Sequence, residues 1–432
     1  MPALPATTSP PPLAIRGIDL LLHLGLWVAV LSHPYVELGL AVDLPLPGGR
    51  TWHADAPLVD LAALVLLPLV LARSLLQRGR ADVATPPPLI GAPGWGLLLL
   101  AALVSLTNHP EPTAGLHELA RKPLFAWLAY GLGLAWVVQA LGPGDRVRRA
   151  ALAGIGLAAL VSLATSVGRF VAGDGLWFHS LDGLTPNHKT IAVCLAGWTP
   201  LLLHWARGPR WGPTERSPTG LARAVTALSL AAVLASASKT AILGVGLSLA
   251  LALPLARPLA WRPRLIAPAL ILGLALAYYA PVLLGSRTML DAARSRHSLN
   301  ERALTMAKAH PLVGAGIGMS TRVEMVTSPH FRINGVEAHG ALQKVAGETG
   351  LLGLGGLLLF VAGAGRALRG RWSASQDKTG PAAPIDLPTY ACLATFVVLH
   401  GQLLLSTELF NATHWLPLAT CWGLAWTRTE ES

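Results

Sequence analysis

The stretch PLVDLAALVLLPLVLAR, residues 57–73, decides which class of fold this chain forms. Asp60 near its start and Arg73 at its end are its only charged residues. Similar apolar blocks recur along the whole chain of 432 residues, which is 53% hydrophobic and only 13% charged. Soluble domains carry about 25% charged residues, and a helix that crosses a bilayer needs about 20 mostly apolar residues. Composition and pattern therefore predict an all-α polytopic membrane protein.

We predict about twelve transmembrane helices from these apolar blocks. They lie near residues 16–33, 57–73, 89–107, 123–141, 150–171, 189–206, 220–237, 240–256, 264–284, 346–365, 388–406 and 411–428. All three cysteines fall inside such blocks. This placement argues against a disulfide framework and against a cysteine-based metal site.

The net charge of +11 follows the pattern that sets membrane topology. Arginine-rich segments follow alternate predicted spans, at residues 73–80, 146–149, 207–223, 257–264 and 366–378, whereas the short loops between them are neutral or acidic. Cytoplasmic loops of membrane proteins are enriched in Lys and Arg. The pattern therefore predicts that both termini lie in the cytoplasm, and it argues against a nucleic-acid partner.

One long segment on the outer side, residues 285–345, breaks this pattern. It carries eight Lys or Arg against four Asp or Glu. We therefore divide the chain into transmembrane helices 1–9 (residues 1–284), a large, partly helical outer loop domain (285–345), and transmembrane helices 10–12 with a short tail (346–432). A basic segment beside a membrane indicates an anionic ligand such as a lipid phosphate. A solvated loop with scattered charge is the alternative.

Two of the six lysines are predicted at the same depth in the membrane. Lys189 and Lys239 each stand beside a threonine at the start of a predicted helix whose N-terminus faces outward. Free backbone N–H groups and the positive end of the helix dipole favour an anion there, and a lysine adds a positive charge. A lysine that reaches toward the lipid headgroups is the alternative for each.

The outer loop domain contains two further candidates. Arg302 lies on a short predicted amphipathic helix that Pro311 ends, and its guanidinium can bind an oxyanion bidentately. His339 lies where the loop domain becomes a helix, and an imidazole there can take a proton from a hydroxyl near neutral pH. His188, His400 and His414 compete for that role.

Several chemistries have no motif in the chain. There is no nucleotide-binding GxxxxGK[ST] pattern, and residues 314–318, GAGIG, lack the spacing of a dinucleotide fingerprint. No cytoplasmic Asp-x-Asp pair is present to hold a metal-bound nucleotide sugar. We therefore expect no cofactor and no bound metal. If the protein transfers a group, the donor must arrive already activated.

The chain resembles the O-antigen ligase and O-antigen polymerase superfamily of bacterial inner-membrane glycosyltransferases, and it is most like the ligases. The resemblance covers the whole predicted topology, with a large periplasmic loop before the last three spans. The motifs that carry it are Pro186-Asn187, SASKT at 236–240, Arg302 with PLVGAG at 311–316, and EAH at 337–339 with GETGLLG at 347–353. The family often has Arg at the position of Lys239 and Asn at the position of Gly340.

The resemblance implies a metal- and ATP-independent, inverting transfer of a glycan from undecaprenyl pyrophosphate to a hydroxyl of lipid A–core, in lipopolysaccharide biosynthesis. It implies an active site at the periplasmic face of the inner membrane. His339 would be the general base. Lys189, Lys239 and Arg302, with Arg169 as a weaker candidate, would bind the pyrophosphate as negative charge builds on it.

Two alternatives remain open at this point. An O-antigen polymerase or a protein O-oligosaccharyltransferase would share the donor site and differ in the acceptor. A secondary transporter belongs to another class and would place ionisable residues near mid-membrane. Asp60 and His400 are the main polar residues predicted deep in spans, whereas most of the charge gathers at one outer face.

Overall fold

The computed structural model describes most of the predicted spans and part of the outer loop domain. The described residues are 12–33, 39–46, 50–77, 91–142, 145–171, 188–207, 219–235, 238–252, 287–322, 325–328, 331–333, 340–377, 387–403 and 408–426. For some of these, including 165–171, 188–190, 239, 321–322, 325–328 and 331–333, the backbone alone is described. The predicted span at 264–284 and the candidate base His339 lie outside the described residues.

Thirteen helices make up most of the described chain. They are α1 Leu13–Ser32, α2 Leu58–Leu76, α3 Ala92–Ser105, α4 Pro112–Leu141, α5 Asp145–Val171, α6 His188–Arg207, α7 Thr219–Ala235, α8 Lys239–Ala252, α9 Arg287–Ala309, α10 Met319–Arg322, α11 Ala341–Asp377, α12 Leu387–Gln402 and α13 Ala412–Trp426. Two short antiparallel hairpins lie between helices: β1 Gly39–Leu46 with β2 Arg50–Pro57, and β3 Met325–Ser328 with β4 Phe331–Ile333.

Five of the described helices are long and apolar enough to cross a membrane, namely α1, α2, α4, the middle of α5, and α11 up to Arg371. Four shorter apolar helices accompany them, at Ala92–Asn108, Ile191–Ala206, Thr219–Leu234 and Thr240–Leu251. Large apolar side chains face outward on the long helices, as Leu64 and Leu358 do at 52% and 53% exposure. Such a surface suits lipid rather than water. The prediction of an α-helical membrane protein is confirmed, and the count of twelve spans stays a prediction.

Helix α11 is broken at Gly350. The backbone there has φ 66° and ψ −164°, a conformation that glycine alone adopts readily. In an unbroken helix, the N–H groups of Leu351 and Leu352 would bond to the carbonyls of Gly347 and Glu348, four residues earlier. The break therefore leaves two donors and two acceptors without their helical partners.

The segment of residues 311–316, here called the clasp, takes up all four of these groups. Its carbonyls accept the two donors: Leu351 N–H bonds to Pro311 O at 2.9 Å, and Leu352 N–H bonds to Leu312 O at 3.1 Å. Its N–H groups in turn reach the two acceptors, Ala315 to Gly347 O at 2.9 Å and Gly316 to Glu348 O at 3.1 Å. The glycine-rich stretch after Pro311 is thus the partner of the broken helix.

The part of α11 that follows Gly350 packs directly against α3. A Cβ on Gly94 would overlap the backbone N of Phe360, and a Cβ on Gly356 would lie 2.5 Å from the backbone N of Leu98. Small residues allow this close backbone approach between membrane helices. The indole of Trp95 packs edge-on against the Phe360 ring, with 4.9 Å between the ring centroids. This contact fixes the part of α11 that follows the break.

We predict that Gly350→Ala destabilises the protein strongly. A Cβ there would overlap the carbonyl carbon of Leu312 and lie 2.6 Å from Gly314 N, in a backbone conformation that disfavours any side chain. We expect the free energy of unfolding to fall by more than about 2 kcal/mol, measured by thermal or denaturant unfolding in detergent.

The matched control for this prediction is Gly355→Ala. A Cβ at Gly355 meets nothing within 4 Å, and alanine is the better helix former. Stability should stay the same or rise in the control. Equal effects of the two substitutions would contradict the assigned role of the break.

Candidate functional site

Arg302 lies on α9, outside the apolar helices, with its guanidinium partly buried. The same helix buries Leu299 and Ala303, which are one turn apart and 3% and 2% exposed. Arg302 stands beside this buried face, and its Nε and Nη2 atoms are buried without a hydrogen-bond partner in the described part of the chain. Burial lowers the pKa of the guanidinium from its usual range. Buried donors without partners are costly, so the group is suited to receive an anion.

The buried face of α9 packs against the first turns of α11. A Cβ on Gly347 would lie 2.8 Å from the carbonyl oxygen of Ala303. Eight residues after Ala303, Pro311 bonds to Leu351 of α11, so the two segments advance in the same direction. Arg302 is therefore the direct neighbour, along α9, of the residue at which α9 touches α11.

Two charged side chains are buried in these first turns of α11. Lys344 and Glu348 are each 3% exposed. Glu348 Oε1 accepts hydrogen bonds from the hydroxyl and the backbone N–H of Ser320, the latter at 3.2 Å. The Lys344 Nζ atom lies 5.8 Å from the centroid of the Phe410 ring. Burial of charge at this level requires partners, and the neighbouring helix α4 supplies charged residues as well.

The first half of α4 adds an ion pair beside the clasp. Lys122 Nζ lies 2.9 Å from Glu118 Oε2, and both side chains are about three-quarters buried. The charge of Lys344 also acts on the Glu118 carboxylate. A Cβ on Gly318, just after the clasp, would lie 2.9 Å from Glu118 Cγ. α4, α11 and the loop that follows α9 therefore meet in one layer of charged groups.

The end of α3 ties this layer to the apolar core. Asn108 Nδ2 donates to Gly314 O at 2.8 Å, and the Ile317 N–H donates to Ser105 Oγ at 3.2 Å. At the start of α11, the Ala341 N–H donates to Leu403 O at 3.0 Å, directly after α12. The residues that follow position 339 are thus held between α9 and the end of α12.

The other candidate residues predicted from the sequence are described only by their backbone or not at all. Lys189 and Lys239 lie in the first turns of α6 and α8, and Arg169 lies in the last turn of α5. A Cβ on Gly244 of α8 would lie 3.2 Å from Ala196 Cβ of α6, so these two helices touch. The roles of Lys189, Lys239, Arg169 and His339 stay predictions.

Of the competing histidines, His414 is buried and His400 is half-buried, whereas His188 is described only by its backbone. The rings of His400 and His414 pack edge to face, with 5.1 Å between their centroids. His400 Nδ1 lies 2.8 Å from Phe396 O within its own helix. Among the described residues, no group of three His, Cys, Asp or Glu side chains is placed to hold a metal ion.

Lys122, Lys344 and the carboxylates near them were not predicted from the sequence. The lysines predicted as site residues stand at the starts of helices, whereas these two lysines lie inside helical segments. One signal could have indicated them: Glu118 precedes Lys122, and Lys344 precedes Glu348, by four residues. Charged residues at this spacing share one face of a helix, and within otherwise apolar segments such pairs mark a buried polar face.

Comparison with known proteins leaves the structure as the basis for assignment. No family model matches the sequence, and no curated protein matches it. The fold and the charged layer define an α-helical membrane protein with a polar site at the ends of several apolar helices. The buried Arg302 donors at that site, which have no partner among the described residues, suit an anionic ligand.

We predict that Glu348→Met loosens the loop beyond the clasp. Methionine has a similar volume but accepts no strong hydrogen bond, so the Ser320 hydroxyl and N–H would lose their acceptor. The free energy of unfolding should fall by about 1–3 kcal/mol, and proteolysis within residues 310–322 should become faster.

Glu301→Met on α9 is the control for this change. Glu301 is 63% exposed and pairs with an exposed histidine, so its loss should leave both readouts unchanged. Glu348→Gln keeps an acceptor oxygen and should retain most of the stability. If Glu348→Met behaves like Glu301→Met, the hydrogen bonds to Ser320 contribute nothing measurable.

Proposed function

We propose that this protein is a lipid-linked glycan ligase of the O-antigen ligase type. It would transfer a glycan from undecaprenyl pyrophosphate to a hydroxyl of lipid A–core at the periplasmic face of the bacterial inner membrane. The observation that carries the proposal is Arg302, whose buried Nε and Nη2 atoms have no partner in the described chain and lie beside the first turns of α11. The site requires neither ATP nor a metal in this proposal.

An arginine in this environment favours a pyrophosphate ligand. The guanidinium can bind two oxygens of one phosphate through two parallel N–H···O hydrogen bonds. A partly buried position strengthens each of these charge-assisted bonds. The negative charge on the pyrophosphate grows as the glycosidic bond to it breaks. Donors that are in place before the reaction stabilise that charge without reorganisation.

The arrangement of α6 and α8 supports a second set of cations for the same anion. Alternating spans reverse direction, so α6 and α8 run the same way. Lys189 precedes the contact residue Ala196 by seven positions, and Lys239 precedes Gly244 by five. At 1.5 Å per residue, this register offsets the two lysine Cα atoms by about 3 Å along the helix axes. Both helix N-termini would then face the same anion.

In the proposed reaction, His339 takes the proton from the acceptor hydroxyl. The hydroxyl oxygen attacks the anomeric carbon of the donor from the face opposite the pyrophosphate. The bond from that carbon to the pyrophosphate oxygen breaks, and undecaprenyl pyrophosphate leaves with the electron pair. The configuration at the anomeric carbon is inverted, and His339 later releases its proton to the solvent.

The positions of the ionisable residues favour this proposal over a transporter. Asp60 lies in the first turn of α2, and His400 lies in the last turn of α12, rather than deep in their helices. The Tyr130 hydroxyl donates to Asp60 Oδ1, which gives that carboxylate a structural partner. A proton- or ion-coupled transporter needs such groups near mid-membrane.

The test of the proposed function uses purified protein in nanodiscs, with EDTA and without ATP. Undecaprenyl-pyrophosphate glycan and lipid A–core are supplied, and wild type is compared with His339→Ala. Transfer to lipid A–core by wild type alone is the expected result. Growth of the donor into longer chains would identify a polymerase, and transfer to an added protein would identify a protein O-oligosaccharyltransferase. If wild type transfers to no acceptor, the proposal is wrong.

We predict that Arg302→Ala lowers kcat about 100-fold or more. The reason is the loss of donors that meet the charge on the leaving pyrophosphate. Lys308→Ala is the matched control, because it removes one positive charge from an exposed position on the same helix. Arg302→Lys should recover only part of the rate, since lysine lacks the planar fork. Equal rates for the two alanine variants would remove Arg302 from the site.

We further predict that Lys239→Ala lowers the transfer rate, whereas Lys239→Arg retains most of it. Either cation can stand at a helix N-terminus and compensate the charge of a phosphate. The measurement is the initial rate at saturating acceptor over a range of donor concentrations. An unchanged rate for Lys239→Ala would contradict the role given to the α8 N-terminus.

A further inference from the structure

Gln343 folds its side chain back onto the residue that follows the candidate base. A Cβ on Gly340 would overlap Gln343 Oε1 and lie 2.8 Å from Gln343 Cδ. The carboxamide therefore occupies the space beside the bare backbone of Gly340, one residue after position 339. Its Oε1 atom is buried and has no hydrogen-bond partner in the described part of the chain.

The neighbouring turn of α9 contains further polar atoms without partners. Gln343 lies one turn before Gly347 on α11, and Asn300 and Arg302 lie within one turn of Ala303 on α9, where the two helices touch. Among the residues that the structure describes, Asn300 Oδ1 is also buried without a partner, as are Nε and Nη2 of Arg302. In the described part of the chain, this region of α9 and α11 therefore contains two acceptor oxygens and two donor nitrogens without partners.

A phosphate cannot satisfy this set of atoms by itself. A fully ionised phosphate oxygen accepts hydrogen bonds and so serves the Arg302 N–H groups, but it has no proton for an amide oxygen. A buried carbonyl oxygen that lacks a donor is costly. A carbohydrate hydroxyl donates such a proton and is present in both substrates of the proposed reaction.

We propose that Gln343 Oε1 accepts a hydrogen bond from a carbohydrate hydroxyl and thereby positions the sugar at the start of α11. Arg302 binds an oxyanion of the substrate next to it. This inference rests on the proposed function and assigns a positioning residue to the same site. The hydroxyl belongs either to the acceptor sugar of lipid A–core or to the first sugar of the donor.

The test compares Gln343→Met with wild type in the nanodisc assay. Methionine matches the length of glutamine but offers no amide oxygen. We expect kcat/KM to fall about tenfold through a higher KM for one substrate, with kcat changed little. A higher KM for lipid A–core assigns the hydroxyl to the acceptor, and a higher KM for undecaprenyl-pyrophosphate glycan assigns it to the donor.

A rescue variant separates positioning from a structural effect. Gly340 does not have a positive φ, and a Cβ there points at the space of the carboxamide. The double variant Gly340→Asn with Gln343→Ala therefore returns an amide oxygen to that space, and KM should recover toward the wild-type value. The control is Gln139→Met, the same chemical change at the far end of α4, where Gln139 Nε2 bonds to Trp426 O at 3.1 Å. It should leave both KM values unchanged.

The outcomes distinguish this inference from the proposed function. If wild type transfers the glycan but Gln343→Met leaves both KM values unchanged, the inference is wrong and the proposed function stands. A fall in kcat/KM that the double variant does not restore also overturns it, because the loss is then structural. If wild type transfers no glycan, the proposed function is wrong and the inference falls with it.

Discussion

The structure depends on the exchange of hydrogen bonds at the break in α11. Inside or beside a membrane, a backbone N–H or carbonyl without a partner costs several kcal/mol. Gly350 removes two helical hydrogen bonds, and the clasp of residues 311–316 replaces both of them with four bonds to the loop. The break in α11 is stable because the clasp supplies these hydrogen bonds. The clasp in turn is held in its conformation by the same bonds. Each segment therefore determines the position of the other.

These hydrogen bonds attach α9 and the clasp to the bundle of apolar helices. The clasp is hydrogen-bonded to the end of α3 through Asn108. The backbone of α3 in turn packs directly against the backbone of α11 after Gly350. α9 runs into the clasp, so the position of Arg302 is set by the same bonds. A polar site at a membrane surface gains from such rigid support, because donors and acceptors without partners must keep their positions until a ligand arrives.

The buried charges of the site follow from the same arrangement. Lys344 and Glu348 lie on the short helical segment before the break, where the clasp and α10 cover them. Their charges would be costly in an ordinary membrane helix. At this place Ser320 bonds to Glu348, and the carboxylate of Glu118 lies near enough to interact with Lys344. The break in α11 thus allows buried charged residues to lie next to the apolar helical bundle.

The apolar blocks predicted nearly all helices of the described chain, because bilayer thickness and backbone satisfaction leave a long apolar segment little other choice. Arg302 could be predicted as a candidate because arginine on an amphipathic helix is a local signal. The role of residues 314–318 could not be predicted from the sequence. Their glycines do not have the spacing of a nucleotide fingerprint, and the residues of α11 to which they bond lie more than 30 positions away.

The amino-acid sequence by itself determined that this is an α-helical membrane protein, since hydropathy acts locally along the chain, and it contains one long basic segment at residues 285–345. Tertiary structure alone decided that Gly314 meets Glu348, that Lys344 stands near Glu118, and that Gly347 meets Ala303. These contacts depend on which helix faces are brought together. No periodicity in one segment contains that information, because it belongs to the pairing of two segments.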